Sequence, residues 1–296
     1  MKAPEPAPGT LYVVATPLGN LEDVTLRALR VLREVALVAC EDTRRTRKLL
    51  QAHGIATPTT SYFEHNERAR TAQILASLRA GKDVALVSDA GTPTVSDPGE
   101  TLVREARDAG IAVVPVPGPS AVTAAVSVCG LPSDRFLFVG FLPPKAAARR
   151  KSLEALAGER AALVFFESPV RALESLDAMA EALGNRDAFL CREATKAHEE
   201  YRRATLASLR ESLASRDSIR GEIVLVVAGA PEPEPASDDP VALYRKLAAE
   251  GRTRREAVKE AARRLSRAAR EVYALVQQAD AEDRSGEVSD WPGDRE

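Results

Sequence analysis

VALVSDAGTPTVSDPGE, residues 84–100, decides how the rest of the chain is read. VALVS (84–88) is an apolar run with no polar break until its last residue, which suits a strand covered on both faces of a sheet. The connection after it packs two aspartates, two glycines, two prolines and several hydroxyls into one loop, far more than a minimal turn requires. Helical spacing resumes over 98–109, so the stretch is the first half of a βαβ unit. Working outward, LYVVA (11–15), VALVA (35–39) and IAVVPV (111–116) repeat the buried-strand pattern, separated by amphipathic stretches at 24–33, 43–53 and 66–80. Such alternation predicts a mostly parallel α/β sheet.

A second set follows: FLFVGF (136–141), ALVFF (162–166), AFLCR (188–192), YRRAT (201–205) and EIVLVVAG (222–229), with helical patterns at 146–157, 169–184 and 206–214. The last strands lie close together, which favours a mixed sheet. The fold class is therefore α/β, with an N-terminal α/β domain over 11–118 and a second over 119–230, divided within PVPGPSA (115–121). The Pro-rich residues 1–10 are expected to be disordered. PEPEPASDDP (231–240) reads as an extended acidic linker, 241–278 as a basic helical helix-turn-helix-like domain, and 279–296 as a disordered acidic tail.

The formal charge of the 296 residues is −2, which on its face argues against a uniformly basic nucleic-acid binder. The sum hides its distribution: 231–240 carries −4, 241–278 carries +6, and 279–296 carries −5. Cys40, Cys129 and Cys191 lie far apart and fit a reducing compartment. His53, His65 and His198 are scattered too, so no metal site is expected. No run approaches the roughly 18 apolar residues of a membrane helix, and MKAPEPAPGT lacks the apolar core of a secretory signal; a cytoplasmic location is the expectation. No two of the 17 glycines lie closer than seven positions, so GxGxxG and GxxxxGK are both excluded.

Any ligand must then be held by other loops, and in open α/β sheets these sit at the carboxyl ends of strands. In ATPLGNLED (15–23), Gly19 and Asn20 can take positive φ and Asp23 can cap the next helix. In the 88–100 loop, Asp89 emerges at a strand end and Gly91 permits close backbone approach, while Asp97 with Pro98 reads as an N-cap and first helical residue. PGPSA (117–121) precedes the small-residue helix AVTAAVSVCG; its free amides can hold a carbonyl or carboxylate, or the segment is a hinge. EDTRRTRKLL (41–50) offers Glu41 and Asp42 beside Arg44, Arg45, Arg47 and Lys48, either a phosphate-facing cluster or a solvated helix start. SYFEHNE (61–67) groups Glu64, His65 and Asn66. FFESPVR (165–171) and CREATKAHEE (191–200) both end an apolar strand in a carboxylate, Glu167 and Glu193, the second followed by Lys196. In the helical block, Thr253 and Ser266 are good N-caps, and Glu256 completes a capping box with Thr253. PPKAAARRK (143–151) adds a further +4.

Taken in order, ATPLGNLED, SYFEHN, SDAGTPTVSDPG, PGPSA, FFESP and REATKAHEE resemble the bacterial 16S ribosomal RNA cytidine 2′-O-methyltransferases of the tetrapyrrole-methylase superfamily, over about 11–229. The basic block resembles the helix-turn-helix extension such enzymes often carry. The resemblance implies two α/β domains with S-adenosylmethionine in the cleft between them, a homodimer, and 16S rRNA or the small ribosomal subunit as substrate. Its cofactor contacts fall here on Leu18, Asp89, Thr92, Ser120 and Ala121, and less directly on Ser168 and the vicinity of Arg192. The chain departs from the tetrapyrrole methylases in lacking their GxGxGD loop, whose place ATPLGNLED takes. A ribose hydroxyl is a weak nucleophile, so a base or an alkoxide-stabilising cation would help. Glu167, Glu193, Lys196, Asp42 and His65 are the candidates, unranked. Arg44, Arg45, Arg192, Arg254, Arg255, Arg267 and Arg270 are the candidates for RNA phosphates. Two other readings stay open: a tetrapyrrole methyltransferase, and a non-catalytic nucleic-acid-binding regulator.

Overall fold

The computed structural model describes residues 7–63, 65–231 and 239–286, with side chains through residue 281. Glu64, most of the 231–240 linker and the end of the 279–296 tail lie outside the described residues. The chain divides into two compact units, Met1–Ala230 and Pro231–Glu296.

Within the larger unit, β1 (Leu11–Val14), β2 (Leu37–Cys40), β3 (Thr59–Ser61), β4 (Val84–Val87) and β5 (Val113–Val116) form a wholly parallel sheet ordered β3-β2-β4-β1-β5. Helices α1 (Leu26–Glu34), α2 (Thr43–Ala52), α3 (Glu67–Arg79) and α4 (Glu100–Asp108) connect the strands. The VALV run is apolar throughout because both faces are covered. Ala85 and Val87 pack with Val31 and Leu32 of α1, whereas Val84 and Leu86 pack with Ile74 and Leu78 of α3 and Leu102 of α4. Each buried valine, leucine or isoleucine among them contributes roughly 1.5–3 kcal/mol over its exposed state.

Gly9 and Thr10, in the stretch expected to be disordered, are instead tied to the sheet edge and to the end of α3. Gly9 N donates to Leu78 O at 2.8 Å, Thr10 N to Asp83 Oδ1 at 2.6 Å, and Val84 N to Thr10 O at 3.0 Å. Gly9 is buried against the Lys82 carbonyl, with no room for a Cβ, so backbone pairing outweighs the Pro-rich composition.

The strand order creates a switch point. From β1 the chain turns towards β2, and from β4 it turns the opposite way, across β1, to β5. The loops leaving neighbouring β1 and β4 therefore stand side by side at the carboxyl edge of the sheet, where open α/β sheets place their ligands.

The second sheet, β6 (Phe136–Phe141), β7 (Ala162–Glu167), β8 (Asp187–Arg192), β9 (Glu200–Thr205) and β10 (Ile223–Val227), is mixed. Its order is β6-β7-β10-β8-β9; only β6 and β7 run parallel. Helix α5 (Ala121–Val128) covers one face through Val122 and Ala125. Helices α6 (Ala146–Ala155), α7 (Ala172–Leu183) and α8 (Leu206–Ala214) cover the other through Leu153, Leu176 and Leu209.

In the smaller unit, α9 (Pro240–Ala249), α10 (Arg254–Arg264) and α11 (Ala269–Gly286) bury Leu243, Leu247, Val258, Ala261, Val272 and Val276 between them. Thr253 and Glu256 form the expected capping box. Ser266 does not cap α11: it sits at φ 53° just past the end of α10. There its amide meets Arg263 O at 3.3 Å and Arg267 N meets Ala262 O at 3.0 Å, a left-handed helix stop. Helix α11 also runs past residue 278, where the tail was expected to begin, because no glycine or proline interrupts it before Gly286.

Candidate active site

The loop after β1 and the loop after β4 are stitched together by backbone. Thr16 N donates to Gly91 O at 2.8 Å and Gly91 N to Thr16 O at 2.9 Å. Gly91 takes φ +79°, a conformation costly for other residues, and a Cβ there would sit 3.2 Å from Leu18 Cδ2. Gly19 and Asn20 do not take the positive φ the sequence allows. Gly19 is needed for space, because a Cβ would collide with the Lys196 stem. Asn20 instead caps a short 3₁₀ turn at Leu21–Asp23, and its amide donates to Thr195 Oγ1 at 3.2 Å. Thr25, not Asp23, caps α1, since the 3₁₀ turn moves the helix start two residues on.

Thr92 Oγ1 donates to Pro119 O at 3.1 Å and so ties the second loop to the start of α5. Ser120 is the N-cap of α5 and makes no side-chain cap bond, which leaves first-turn amides available to a ligand. Gly99, not Asp97, is the N-cap of α4. Asp97 is displaced from that role because Gly99 bends at φ 132° under Leu86, and its carboxylate lines the cavity.

Leu18, Asp89, Gly91, Thr92, Asp97, Ser120 and Ala121 from the first half meet Phe141, Phe166, Glu167, Glu222, Ile223 and Val224 from the second around a cleft of about 830 Å³, its open mouth included. Five of the six residues that the resemblance assigns to the cofactor line it. The sixth, Ser168, does not; its amide and hydroxyl donate to Glu167 Oε1 at 2.7 and 3.4 Å. Sequence reasoning missed Asp97, which it made a cap, and Phe141, Phe166, Glu222 and Val224. Phe141 and Phe166 end strands that the pattern had drawn, so their position at the carboxyl edge was the available signal.

The carboxylates around the cleft differ in their partners. Asp89 Oδ1 accepts from Asp42 N at 2.9 Å, and its Oδ2 lies 3.5 Å from Arg45. Glu167 is fully buried, with Oε1 2.8 Å from Arg171 and Oε2 accepting from the Ser175 hydroxyl. Glu222 Oε2 lies 3.2 Å from Lys196 Nζ. Asp97 has no ion pair among the described residues. Burial first, then the charges of Glu41, Asp89 and Glu222, push its carboxyl up to about 6 against the pull of the Ser88 hydroxyl.

The remaining candidates are placed as follows. Asp42 caps α2, accepting Arg44 N at 2.8 Å, and the Arg44 side chain holds its carboxyl below the usual range. Glu193 and Lys196 pair at 2.7 Å beside Glu222, in a loop where Glu193 and Thr195 both take positive φ. Burial pushes the Glu193 carboxyl up, but the Lys196 hydrogen bond and the Glu222 amide outweigh it and leave it lowered. Burial also acts against the Lys196 ammonium, yet the two carboxylates outweigh it and leave its pKa raised. His65 is exposed, edge-on to Phe63 at 6.3 Å, and does not line the cleft.

Arg44 and Arg45 are largely exposed. Arg192 is not presented for a phosphate: it is 18% exposed, bound to Glu200 at 2.8 Å and to Arg220 O at 3.1 Å. With Arg216 it holds the Glu200 carboxyl down to about 2. In the helical unit Arg255 and Arg270 are exposed, Arg254 lies over the Tyr273 ring at 5.5 Å and bonds Asp280, and Arg267 faces Glu271 at 3.5 Å.

The sequence profile of the Tetrapyrrole (Corrin/Porphyrin) Methylases matches residues 10–210. The chain is 55% identical over 228 residues to the ribosomal RNA small subunit methyltransferase I of Pseudomonas aeruginosa, covering 76% of this chain and 81% of that one. It is 44% identical over 276 residues to the protein of the same name from Halalkalibacterium halodurans, covering 91% and 95%. Among solved structures it is similar to a cobalt precorrin-4 methyltransferase, at TM-score 0.57 and 16% identity over 73% of this chain and 94% of that one. It is similar also to a Thermus thermophilus uroporphyrin-III C-methyltransferase in complex with S-adenosyl homocysteine, at TM-score 0.52 and 21% identity over 74% and 96%. At these identities the structural likeness is one of fold.

Proposed function

Since the chain belongs to the tetrapyrrole methylase family, we propose that it moves a methyl group from S-adenosylmethionine to the ribose 2′-oxygen of a cytidine in 16S ribosomal RNA. The observation that carries the substrate is the likeness, over most of the chain, to proteins named as small-subunit ribosomal RNA methyltransferases.

The cleft fits the cofactor on its own terms. Its lining of Leu18, Phe166 and Val224 is apolar, and Asp89 and Glu222 add negative charge beside it. Such a site favours a ligand bearing a sulfonium and an ammonium group. The uncapped start of α5 suits that ligand's carboxylate. Bound there, the sulfonium supplies an electrophilic methyl carbon, and the protein's work is to orient and desolvate. Asp42 acts at one remove, fixing Asp89 through its amide. Glu167 anchors the far wall. Lys196, kept charged by Glu193 and Glu222, places a cation behind Glu222 of the cleft wall.

Arg44 and Arg45 beside the cleft, and Arg254, Arg255, Arg267 and Arg270 of the helical unit, are the proposed phosphate contacts. Phosphate contacts position RNA without reading it, so selection of one cytidine needs an open or splayed loop. A homodimer in the cytoplasm is part of the proposal. Edge strand β6 exposes Phe136 and Leu137 at its start, apolar side chains that a second copy would cover, and sedimentation of the pure protein checks it.

The deciding assay supplies radiolabelled cofactor with small ribosomal subunits, naked 16S rRNA and a tetrapyrrole. Label in RNA at an alkali-resistant cytidine linkage is the expected result; absence of label in RNA overturns the reading. Deleting 236–296 is expected to weaken RNA affinity about tenfold or more and leave cofactor affinity unchanged, as a loss of several phosphate contacts would. Equal loss of both would make the helical unit a structural part.

A further inference from the structure

We propose that Asp97 is the general base of this transfer, its carboxylate taking the ribose hydroxyl proton as the oxygen attacks the methyl carbon. The inference rests on the proposed function.

Of the carboxylates lining the cleft, Asp97 alone meets no cation and no backbone amide among the described residues. Asp89 is held by the Asp42 amide and Arg45, Glu167 by Arg171, Ser168 and Ser175, and Glu222 by Lys196. A carboxylate saturated with donors is a poor acceptor of a further proton. Asp97 also stands in a segment shaped for aim rather than for ease. Thr94 at φ 69° and Ser96 at φ 66° are both left-handed, which side-chain-bearing residues rarely adopt. The loop is seated on the second sheet at the β6 bulge, where Gly140 takes φ 76° and a Cβ would lie 3.2 Å from Ser96 Oγ. Two strained residues and a glycine on the facing strand thus converge beside one side chain.

The surroundings tune it for the task. The charged groups facing Asp97 are Glu41 at the end of β2, Asp89 at the end of β4, and Glu222 before β10; Ser88 is the neutral donor. The cations Arg45 and Lys196 stand on the far side of these acids, paired with Asp89 and Glu222. The carboxyl, pushed up to about 6, is ionised at neutral pH yet a stronger base than an ordinary aspartate. In the step the O–H bond breaks towards Asp97, the O–C bond forms, and the C–S bond breaks with its pair left on sulfur. A carboxylate and a sulfonium become a carboxylic acid and a thioether, so two opposite charges vanish together in a partly dry cleft.

Asp97→Asn and Asp97→Ala in the full chain test the assignment. Both are expected to lower kcat by about 10²–10⁴-fold. The affinity for S-adenosyl homocysteine, read by calorimetry without any turnover, is expected to stay within about threefold. The rising acid limb of the wild-type rate profile is expected to flatten in both. Retention of kcat within about threefold overturns the proposal. So does a fall in S-adenosyl homocysteine affinity in step with activity, which would make Asp97 a ligand contact. If wild type labels RNA and the variants match it, only this inference fails; if wild type labels no RNA, the proposed function fails with it.

Discussion

The two walls of the cleft are built by sheets of different kinds. The first sheet is wholly parallel, so it can reach a ligand only through loops that leave the carboxyl ends of its strands: 15–25 after β1 and 88–99 after β4. The second is mixed. Because β10 runs against β7, with Ile223 opposite Glu167, the first residues of β10 stand at the same edge as the last residues of β7. One wall is therefore a pair of loops joined by two backbone hydrogen bonds and rich in left-handed φ. The other is a sheet corner held by ladder pairing and side-chain ion pairs. The difference locates what can be tuned: chemistry on the loop wall, shape on the sheet wall.

The largest expected effect breaks the sheet wall. Glu167→Ala removes a fully buried carboxylate that satisfies Arg171, the Ser168 amide and the Ser175 hydroxyl at once. Leaving those donors unpaired is expected to cost about 3 kcal/mol, read from urea unfolding. A loss under about 1 kcal/mol would show that the corner is held by the β7–β10 ladder alone.

Next comes the loop wall, through pH. The folded Asp97 carboxyl is raised to about 6 from an ordinary 3.8. Between these values the unfolded chain has released its proton and the folded chain has kept it, so stability falls as pH rises and levels off above about 6. Asp97→Asn abolishes this dependence. It is expected to raise the melting temperature of the ligand-free protein at pH 7 and leave it unchanged below pH 4. A full shift of this size corresponds to about 3 kcal/mol, and solvent access to a half-buried group reduces it. An equal gain at both pH values would mean that the effect is packing and not charge.

This contrast also explains what the sequence could show. The parallel sheet was legible because its strands are continuous apolar runs and its loops lie where such sheets put ligands. Leu18, Asp89, Thr92, Ser120 and Ala121 follow from that rule once the family's motifs are matched. Strand β3 was not legible, since Thr59–Ser61 is short, polar and at the sheet edge. Glu222 was not legible because it precedes its strand, and only antiparallel pairing with β7 brings it to the site. Asp97 followed by Pro98 looks like a helix start; the left-handed turns at Thr94 and Ser96 that delay the helix to Glu100 leave no mark in composition. Arg192 looked available beside Glu193, but its partners Glu200 and Arg220 come from elements that only the folded sheet brings near.

The smallest expected effect separates a tie within the loop wall from a contact with the ligand. Thr92→Val keeps the shape of the side chain and removes the hydroxyl that donates to Pro119 O. One such hydrogen bond contributes about 1 kcal/mol, and the Thr16–Gly91 pair continues to hold the loop, so unfolding should shift by no more than that. Affinity for S-adenosyl homocysteine discriminates further. If it is unchanged, Thr92 serves only to join the 88–99 loop to α5. If it falls by tenfold or more while stability moves by about 1 kcal/mol, the hydroxyl exchanges Pro119 for the ligand on binding, and the loop wall rearranges where the sheet wall does not.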